Sequence, residues 1–160
     1  MLPTRVLVVD GHELFRRGLL MLLSHEPDIE VVGECGDAGS AVELAESASP
    51  DLVLMDVRLP GAGDACRAVI RAAPAVRILM LATEEGEDGL VAAVAAGASG
   101  HLLKETSLDE VAAAIRTAVD GIAVLSPSSV SAGSIPPRRT TRAWPDAPLR
   151  AVRDDSASLS

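Results

Sequence analysis

Three charged residues follow short apolar runs that are spaced along the first two thirds of the chain. The runs and the residues after them are Val6–Val9 with Asp10, Leu52–Met55 with Asp56, and Gly100–Leu103 with Lys104. Each run has the length and composition of a strand in a parallel sheet, and the first two are apolar throughout, as in a strand buried on both faces. Because ligands gather where the carboxyl ends of such strands meet, we expect the three side chains to lie close together.

Two carboxylates and one ammonium in a single crevice suit phosphoryl transfer. Neighbouring carboxylates raise each other's pKa unless a cation relieves the repulsion, and Mg²⁺ would do so through oxygen ligands. A carboxylate can also attack phosphorus and form an aspartyl phosphate. That step needs positioning and charge neutralisation, which Mg²⁺ and Lys104 would supply. Polar residues often follow strands simply because loops are solvated, and this would explain any one of the three residues. It explains the occurrence of all three less well.

Extended and helical patterns alternate through the first 125 residues. Apolar runs at Ile29–Cys35 and Val76–Leu81 predict two further strands. Apolar residues at three- and four-residue spacing predict helices. These helices are Leu14–Leu23, Val42–Ala48, Ala65–Ala73, Leu90–Ala96 and Leu108–Val119. A capping box from Ser107 to Glu110 begins the last of them, and Gly97 and Gly121 end the last two.

Five strand–helix units of this kind predict an α/β fold with a parallel sheet covered by helices on both faces. Right-handed crossovers restrict its topology to a doubly wound arrangement. The pattern stops near residue 126, so we expect one domain at residues 1–125. Residues 126–160 are rich in Ser, Pro and Arg and have no apolar period, which is typical of a disordered tail.

Charge is divided unevenly between these two parts. Residues 126–160 contain five Arg and three Asp, a net charge of +2. The whole chain carries −9, so residues 1–125 carry −11. An acidic body repels DNA phosphates, so we expect no direct DNA binding from it. The cluster of Arg138, Arg139 and Arg142 is explained more simply as part of a solvated tail than as a nucleic-acid or membrane contact.

Composition and missing motifs exclude several other functions. Phe15 and Trp144 are the only aromatic residues, too few for base stacking or a flavin site, and residues 10–13 do not form a GxGxxG turn. Cys35 and Cys66 are expected to be small buried residues rather than a disulfide. No apolar run reaches ~18 residues and no leader pattern precedes the first strand. We therefore expect a cytoplasmic protein that neither contacts membranes nor acts as an enzyme.

Several segments together resemble response-regulator receiver domains of the NarL/FixJ-type group, whose members usually carry a LuxR-type DNA-binding domain. The segments are Val6–Leu20, Pro27–Glu34, Pro50–Gly61, Ala96–Lys104 and Leu125–Pro127. The resemblance covers residues from about 5 to 127. It implies a flavodoxin-like (βα)5 fold whose five-stranded parallel sheet has the order 2-1-3-4-5.

The resemblance also implies a role for each residue at the crevice. Asp56 would accept a phosphoryl group from a histidine kinase, and Lys104 would bridge to the phosphate. Asp10, Asp56 and the backbone carbonyl of Arg58 would hold Mg²⁺. Another response regulator, or a second copy of this chain, is a further expected partner.

The chain departs from the family pattern at the positions that bind metal and relay the signal. Gly11 stands where the family has a second acidic metal ligand, so we expect weak Mg²⁺ binding. Ala82 stands where the family has a Ser or Thr that bonds the phosphate, and Thr83 should face the other side of the strand. His101 occupies the aromatic switch position of the fifth strand.

Two interpretations of the output remain open. Residues 126–160 are too short and too rich in Pro and Ser for a LuxR-type domain, so the first interpretation is an atypical receiver that acts by protein contact. The alternative is a truncated LuxR-type transcriptional regulator that acts by pairing with a full-length DNA-binding partner.

Overall fold

A five-stranded parallel sheet forms the centre of the molecule, as the sequence predicted. The computed structural model describes residues 2–83 and 95–121. The strands are β1 (Thr4–Val9), β2 (Ile29–Cys35), β3 (Leu52–Asp56), β4 (Arg77–Ala82) and β5 (Gly100–Leu103). The helices within the described ranges are α1 (Glu13–Leu23), α2 (Ala38–Ala48), α3 (Ala62–Ala72) and α4 (Leu108–Val119). The strand order β2-β1-β3-β4-β5 makes this a flavodoxin-like, doubly wound sheet, and every pair is parallel.

The alternation of side chains along the central strands divides the core into two layers. On β1, Leu7 and Val9 pack with α2 and α3, whereas Val6 and Val8 pack with α1 and α4. All four side chains are fully buried. A strand covered on both faces needs apolar residues at successive positions, which explains why β1 and β3 appear in the sequence as unbroken apolar runs.

Helix boundaries follow the predicted capping signals in one case and depart from the prediction in another. The capping box of α4 is present, with Ser107 Oγ accepting the Glu110 N–H at 3.3 Å. The start predicted for α3 at Ala65 was wrong, because the helix begins at Ala62. Gly61, at φ +78°, lets the chain turn directly from the loop after β3 into the helix.

The other predictions have different outcomes. Nearly all of the helix predicted at residues 90–96, and the whole tail at 126–160, lie outside the described residues. Gly97, predicted to end that helix, has φ +112°, a conformation that favours glycine.

Cys66 is fully buried, which raises the pKa of its thiol to about 12. Cys35 is only half-buried, so the expectation of two buried cysteines holds for Cys66 alone. No helix of the described residues is both long and apolar enough to cross a membrane.

One ion-pair cluster joins α4 to the connection between α1 and β2. Arg116 donates to both carboxylate oxygens of Asp28, at 2.6 and 2.8 Å, and to Glu26 at 2.6 Å. The hydrogen bond from the Arg116 guanidinium lowers the pKa of Asp28. This two-pronged geometry is the favourable one for an arginine and a carboxylate, so the cluster holds α4 in place against the sheet.

We expect the stabilisation from Asp28 to disappear in acid. A carboxyl whose pKa is lower in the folded state stabilises the fold above its unfolded pKa, about 4 for aspartate, and loses this effect as the pH falls through the folded value. Asp28→Asn should therefore lower the free energy of unfolding at neutral pH, and the difference from the parent should shrink below pH ~4. Urea unfolding over a pH series measures this. Glu46→Gln, on the exposed surface of α2, is the control, and a difference that is constant with pH would contradict the assignment.

Candidate functional site

Asp10, Asp56 and Lys104 meet at the carboxyl edge of the sheet. The Lys104 ammonium lies 2.8 Å from Asp10 Oδ2 and 3.5 Å from Asp56 Oδ2. Asp10 is fully buried and Asp56 is 8% exposed, while the Lys104 side chain is 17% exposed. The structure thus brings together the three residues that the sequence pattern singled out, in a crevice with little access for water.

Asp10 is held by its backbone on both sides and by one of its own oxygens. Its N–H donates to the Cys35 carbonyl at 3.0 Å, and its carbonyl accepts from Arg16 at 2.6 Å. Its Oδ1 accepts the His12 N–H at 2.8 Å. The Oδ2 atom is buried and receives no hydrogen bond of good angle from the described residues, so the nearby Lys104 ammonium is its ion-pair partner.

Asp56 and Lys104 are positioned by the ends of β3 and β5. Asp56 is the last residue of β3, and its Oδ1 accepts the Arg58 N–H at 3.0 Å, which leaves Oδ2 facing the ammonium. The Lys104 N–H donates to the Ala82 carbonyl at 2.8 Å, which continues the pairing of β5 with β4. The Lys104 ammonium also lies 4.8 Å from the centre of the Phe15 ring, a favourable cation–π distance.

The oxygen atoms in this crevice fit a hard divalent cation, but they are few. Asp10 Oδ2, without a good hydrogen bond, and Asp56 Oδ2 are carboxylate oxygens of the kind that Mg²⁺ prefers. With the backbone carbonyl of Arg58, they are the groups that would hold it. The described residues contain no cluster of three or more acidic, His or Cys side chains able to bind a metal.

Gly11 lies under the side chain of Leu59. A Cβ added at Gly11 would be 3.3 Å from Leu59 Cδ2 and 3.5 Å from the Gly36 carbonyl. The first distance is tight, so the leucine methyl would have to move by a few tenths of an ångström to admit a side chain. The space for a side chain at Gly11 is therefore bounded in part by an apolar group.

The remaining predicted positions lie on β4 and β5. Ala82 is fully buried at the end of β4, whereas Thr83 follows the strand and is exposed. His101 is 3% exposed and lies opposite Met80 in the β4–β5 pairing. Ala82 therefore presents a buried methyl group at the end of β4.

Sequence reasoning missed the ion pair that supports Asp10. Arg16 Nε lies 2.7 Å from Glu34 Oε1, and the Arg16 side chain is only 13% exposed. The same guanidinium donates to the Asp10 carbonyl, so it ties α1 and β2 to the rim of the site. The two residues are 18 positions apart in two different elements, so no periodic pattern links them. The sequence shows that both are charged, but it does not show that they pair.

Comparisons with known proteins agree with this geometry. The model of the response regulator receiver domain family matches residues 6–116. The chain is 36% identical over 125 residues to the transcriptional regulatory protein DegU of Brevibacillus brevis, which covers 77% of this chain and 53% of DegU. The chain thus spans about half to two thirds of the length of the curated relatives it matches.

Two solved structures have the same fold at higher coverage of their own chains. The signal receiver domain of a NarL protein from Mycobacterium tuberculosis superimposes with a TM-score of 0.69 at 34% identity, over 76% of this chain and 99% of that one. A LuxR-family two-component response regulator from Aurantimonas sp. SI85-9A1 gives 0.74 at 34% identity, over 81% and 94%.

A doubly wound sheet with two carboxylates and a lysine at its carboxyl edge defines a receiver-type signalling module. The chain belongs to the response regulator receiver domain family. Its relatives are two-component response regulators of the NarL and LuxR type.

Loss of the Lys104 ammonium should destabilise the fold through repulsion between the two carboxylates. Breaking a buried ion pair on one side costs about 3 kcal/mol, so we expect Lys104→Met to lower the free energy of unfolding by roughly that amount at neutral pH. Urea unfolding in the presence of EDTA measures this loss.

The double variant Asp10→Asn with Lys104→Met is the matched control, since it removes the uncompensated charge as well as the ammonium. It should recover most of the lost stability. Equal deficits in the single and double variants would instead assign the loss to packing of the lysine stem.

Proposed function

We propose that the chain is an atypical receiver in which Asp56 accepts a phosphoryl group from a histidine kinase, with weakened Mg²⁺ and switch sites. The observation that carries the proposal is the Lys104 ammonium within 3.5 Å of both Asp56 and Asp10, beside a glycine at position 11. Lys104 would supply the cation for phosphate contact, whereas Gly11 would lack one of the acids for metal binding.

The transfer step uses groups that are already oriented. A carboxylate oxygen of Asp56 attacks phosphorus, the bond from phosphorus to the kinase imidazole nitrogen breaks, and the imidazole keeps that electron pair. Oδ1 is held by the Arg58 N–H, so the carboxylate does not need to reorient before attack. Lys104 then faces the new phosphoryl oxygens and neutralises their charge.

Magnesium would be held by Asp10, Asp56 and the Arg58 carbonyl, and it would neutralise charge on the phosphoryl oxygens. Removing even an outer partner of a metal ligand typically costs about 10–100-fold in affinity, and the loss of a direct carboxylate ligand should cost at least as much. Lys104 already neutralises part of the charge on both acids. Both effects support weak binding of Mg²⁺.

The switch is weakened separately at Ala82. A hydroxyl bonded to a charged phosphate contributes about 1.5–3 kcal/mol, which is the size of a typical allosteric coupling energy. Ala82 lacks that group, and Thr83 is exposed. His101 is buried in β5 at the aromatic switch position. Phosphorylation would therefore change the surface around β5 less than in a receiver with a serine or threonine at position 82.

The proposed partners follow from charge and from the site. Besides a cytoplasmic histidine kinase, another response regulator or a second copy would receive the signal by protein contact. The net charge of −11 on residues 1–125 opposes direct contact with DNA phosphates. The chain would act as a signalling module and would not turn over a substrate.

Restoring the missing acid should restore metal binding. We expect Gly11→Asp to tighten Mg²⁺ binding by about tenfold or more, because it adds a carboxylate ligand beside Asp10. Isothermal titration measures the dissociation constant. Gly11→Asn is the matched control, since it brings the same contact with Leu59 without the charge. An unchanged constant in Gly11→Asp, or an equal gain in Gly11→Asn, would contradict a metal site at this position.

Phosphorylation of the parent chain should be incomplete and confined to Asp56. After incubation with phosphoramidate and Mg²⁺, we expect intact-mass spectra in which a minor fraction carries one phosphoryl group. Asp56→Asn should show none, and Gly11→Asp should show a larger fraction, because its metal site is more complete.

Each departure from this result has a separate meaning. Complete phosphorylation of the parent, abolished in Asp56→Asn, would contradict the claim of an impaired site. Equal phosphorylation of the parent and Asp56→Asn would contradict Asp56 as the acceptor.

A further inference from the structure

An apolar groove runs between α1 and the segment that joins β5 to α4. It has a volume of about 200 Å³, and its inner end is formed by Lys104. Other lining residues include Leu14, Gly18, Leu22, Leu103, Thr106 and Val111. Leu14 is 79% exposed and Leu22 is 45% exposed, so the α1 wall presents large apolar side chains to solvent. A contiguous apolar surface of this kind marks a binding site more often than single exposed residues do.

Four acidic residues are neighbours in sequence of residues that line this groove. Glu13 precedes Leu14 on α1, and Glu105, Asp109 and Glu110 flank Thr106 and Val111 on the other wall. All four acids are exposed. An occupant that suits the groove therefore combines a large apolar group with neighbouring positive charge.

One segment of this chain outside the described residues has that chemistry. Trp144 is the only tryptophan of the chain, and Arg138, Arg139 and Arg142 lie within six residues before it. We propose that residues 138–145 dock on this groove, with the Trp144 ring between α1 and the β5–α4 connection and the arginines beside the acidic rim. The docked tail would replace the solvated tail that composition alone suggested.

The length of the chain allows this contact. The last described residue, Gly121, lies close to Arg77 at the start of β4. Gly121 and Lys104 are therefore at opposite ends of α4. The length of α4 is about 18 Å at 1.5 Å per residue. The 22 residues between Gly121 and Trp144 span up to about 70 Å when extended, so they reach the groove with slack. An intramolecular site of this kind has an effective ligand concentration in the millimolar range, so even a weak contact is populated.

Docking would cover the flank of the lysine that serves the phosphorylation site. Lys104 lines the groove and also faces Asp10 and Asp56. The tail would therefore cover the exposed apolar side chains of α1 and contact the stem of Lys104. The groove, its acidic rim and the tail carry this proposal without any phosphoryl transfer or metal binding.

The emission of Trp144 tests the proposal in the full chain, because the sequence has no other tryptophan and no tyrosine. We expect blue-shifted emission and reduced quenching by acrylamide in the parent. Gly18→Leu places a side chain over the groove, where a Cβ meets no atom within 4 Å, and should raise the quenching constant. If the dissociation constant of the tail for the groove is near the effective concentration, about half of the molecules have a docked tail. Loss of docking should then raise the quenching constant about twofold.

Gly63→Leu is the matched control. Gly63 lies in α3 on the other side of the sheet, and a Cβ there also meets no atom within 4 Å. It should leave emission and quenching unchanged, while both variants keep the parent's circular dichroism. Arg142→Glu should raise the quenching constant as Gly18→Leu does, because it reverses charge beside the acidic rim.

Three outcomes would overturn the proposal. Equal, solvent-like quenching in the parent and Gly18→Leu would show that Trp144 is not docked. Protection that persists in Gly18→Leu and Arg142→Glu would place Trp144 elsewhere. Protection that disappears on dilution would assign the groove to a second copy. Because no phosphodonor or Mg²⁺ is present, none of these outcomes depends on the function of Asp56.

Discussion

The rim of the sheet depends on one interaction, the neutralisation of Asp10 and Asp56 by the Lys104 ammonium. Two unit charges 4 Å apart interact by about 4 kcal/mol at the effective dielectric of a protein site, so two buried carboxylates cannot share the crevice without a cation. The backbone makes the contact dependable. Asp10 is fixed between the Cys35 carbonyl and Arg16, and the Lys104 N–H is fixed on the Ala82 carbonyl. The order of the strands therefore sets the distances among the three charges.

The same neutralisation explains why the absence of one acid at position 11 matters. Two carboxylates and one ammonium leave a net charge of −1, so a divalent cation that enters must compete with Lys104 for the same oxygens. A third carboxylate would restore an excess of negative charge. At Gly11 the space for it is bounded by Leu59 and the Gly36 carbonyl. The Leu59 methyl group is therefore what an added side chain would have to displace.

Sequence patterns predicted the strands and the meeting of Asp10, Asp56 and Lys104, because these follow from burial on two faces and from the parallel arrangement. The order of the strands came from the family resemblance. They did not predict the supporting ion pairs. Arg16 with Glu34 and Arg116 with Asp28 join residues 18 and 88 positions apart, and which charges pair depends on helix placement and rotamers. The apolar periodicity also misplaced the start of α3, because Gly61 adopts a positive φ that no periodic pattern encodes.

Lys104 links the two surfaces at this end of the molecule. Its ammonium neutralises the acids and lies over the Phe15 ring, while its stem lines the apolar groove beside α1. Long cationic side chains commonly combine these roles, with a buried stem and a polar head. A shift of the ammonium toward a phosphoryl group on Asp56 would move the stem, so the shape of the groove and the charge of the crevice are not independent. Any coupling that results must be reciprocal: an occupant that favours one position of Lys104 changes the affinity of the crevice for anions by the same factor that an anion changes the affinity of the groove.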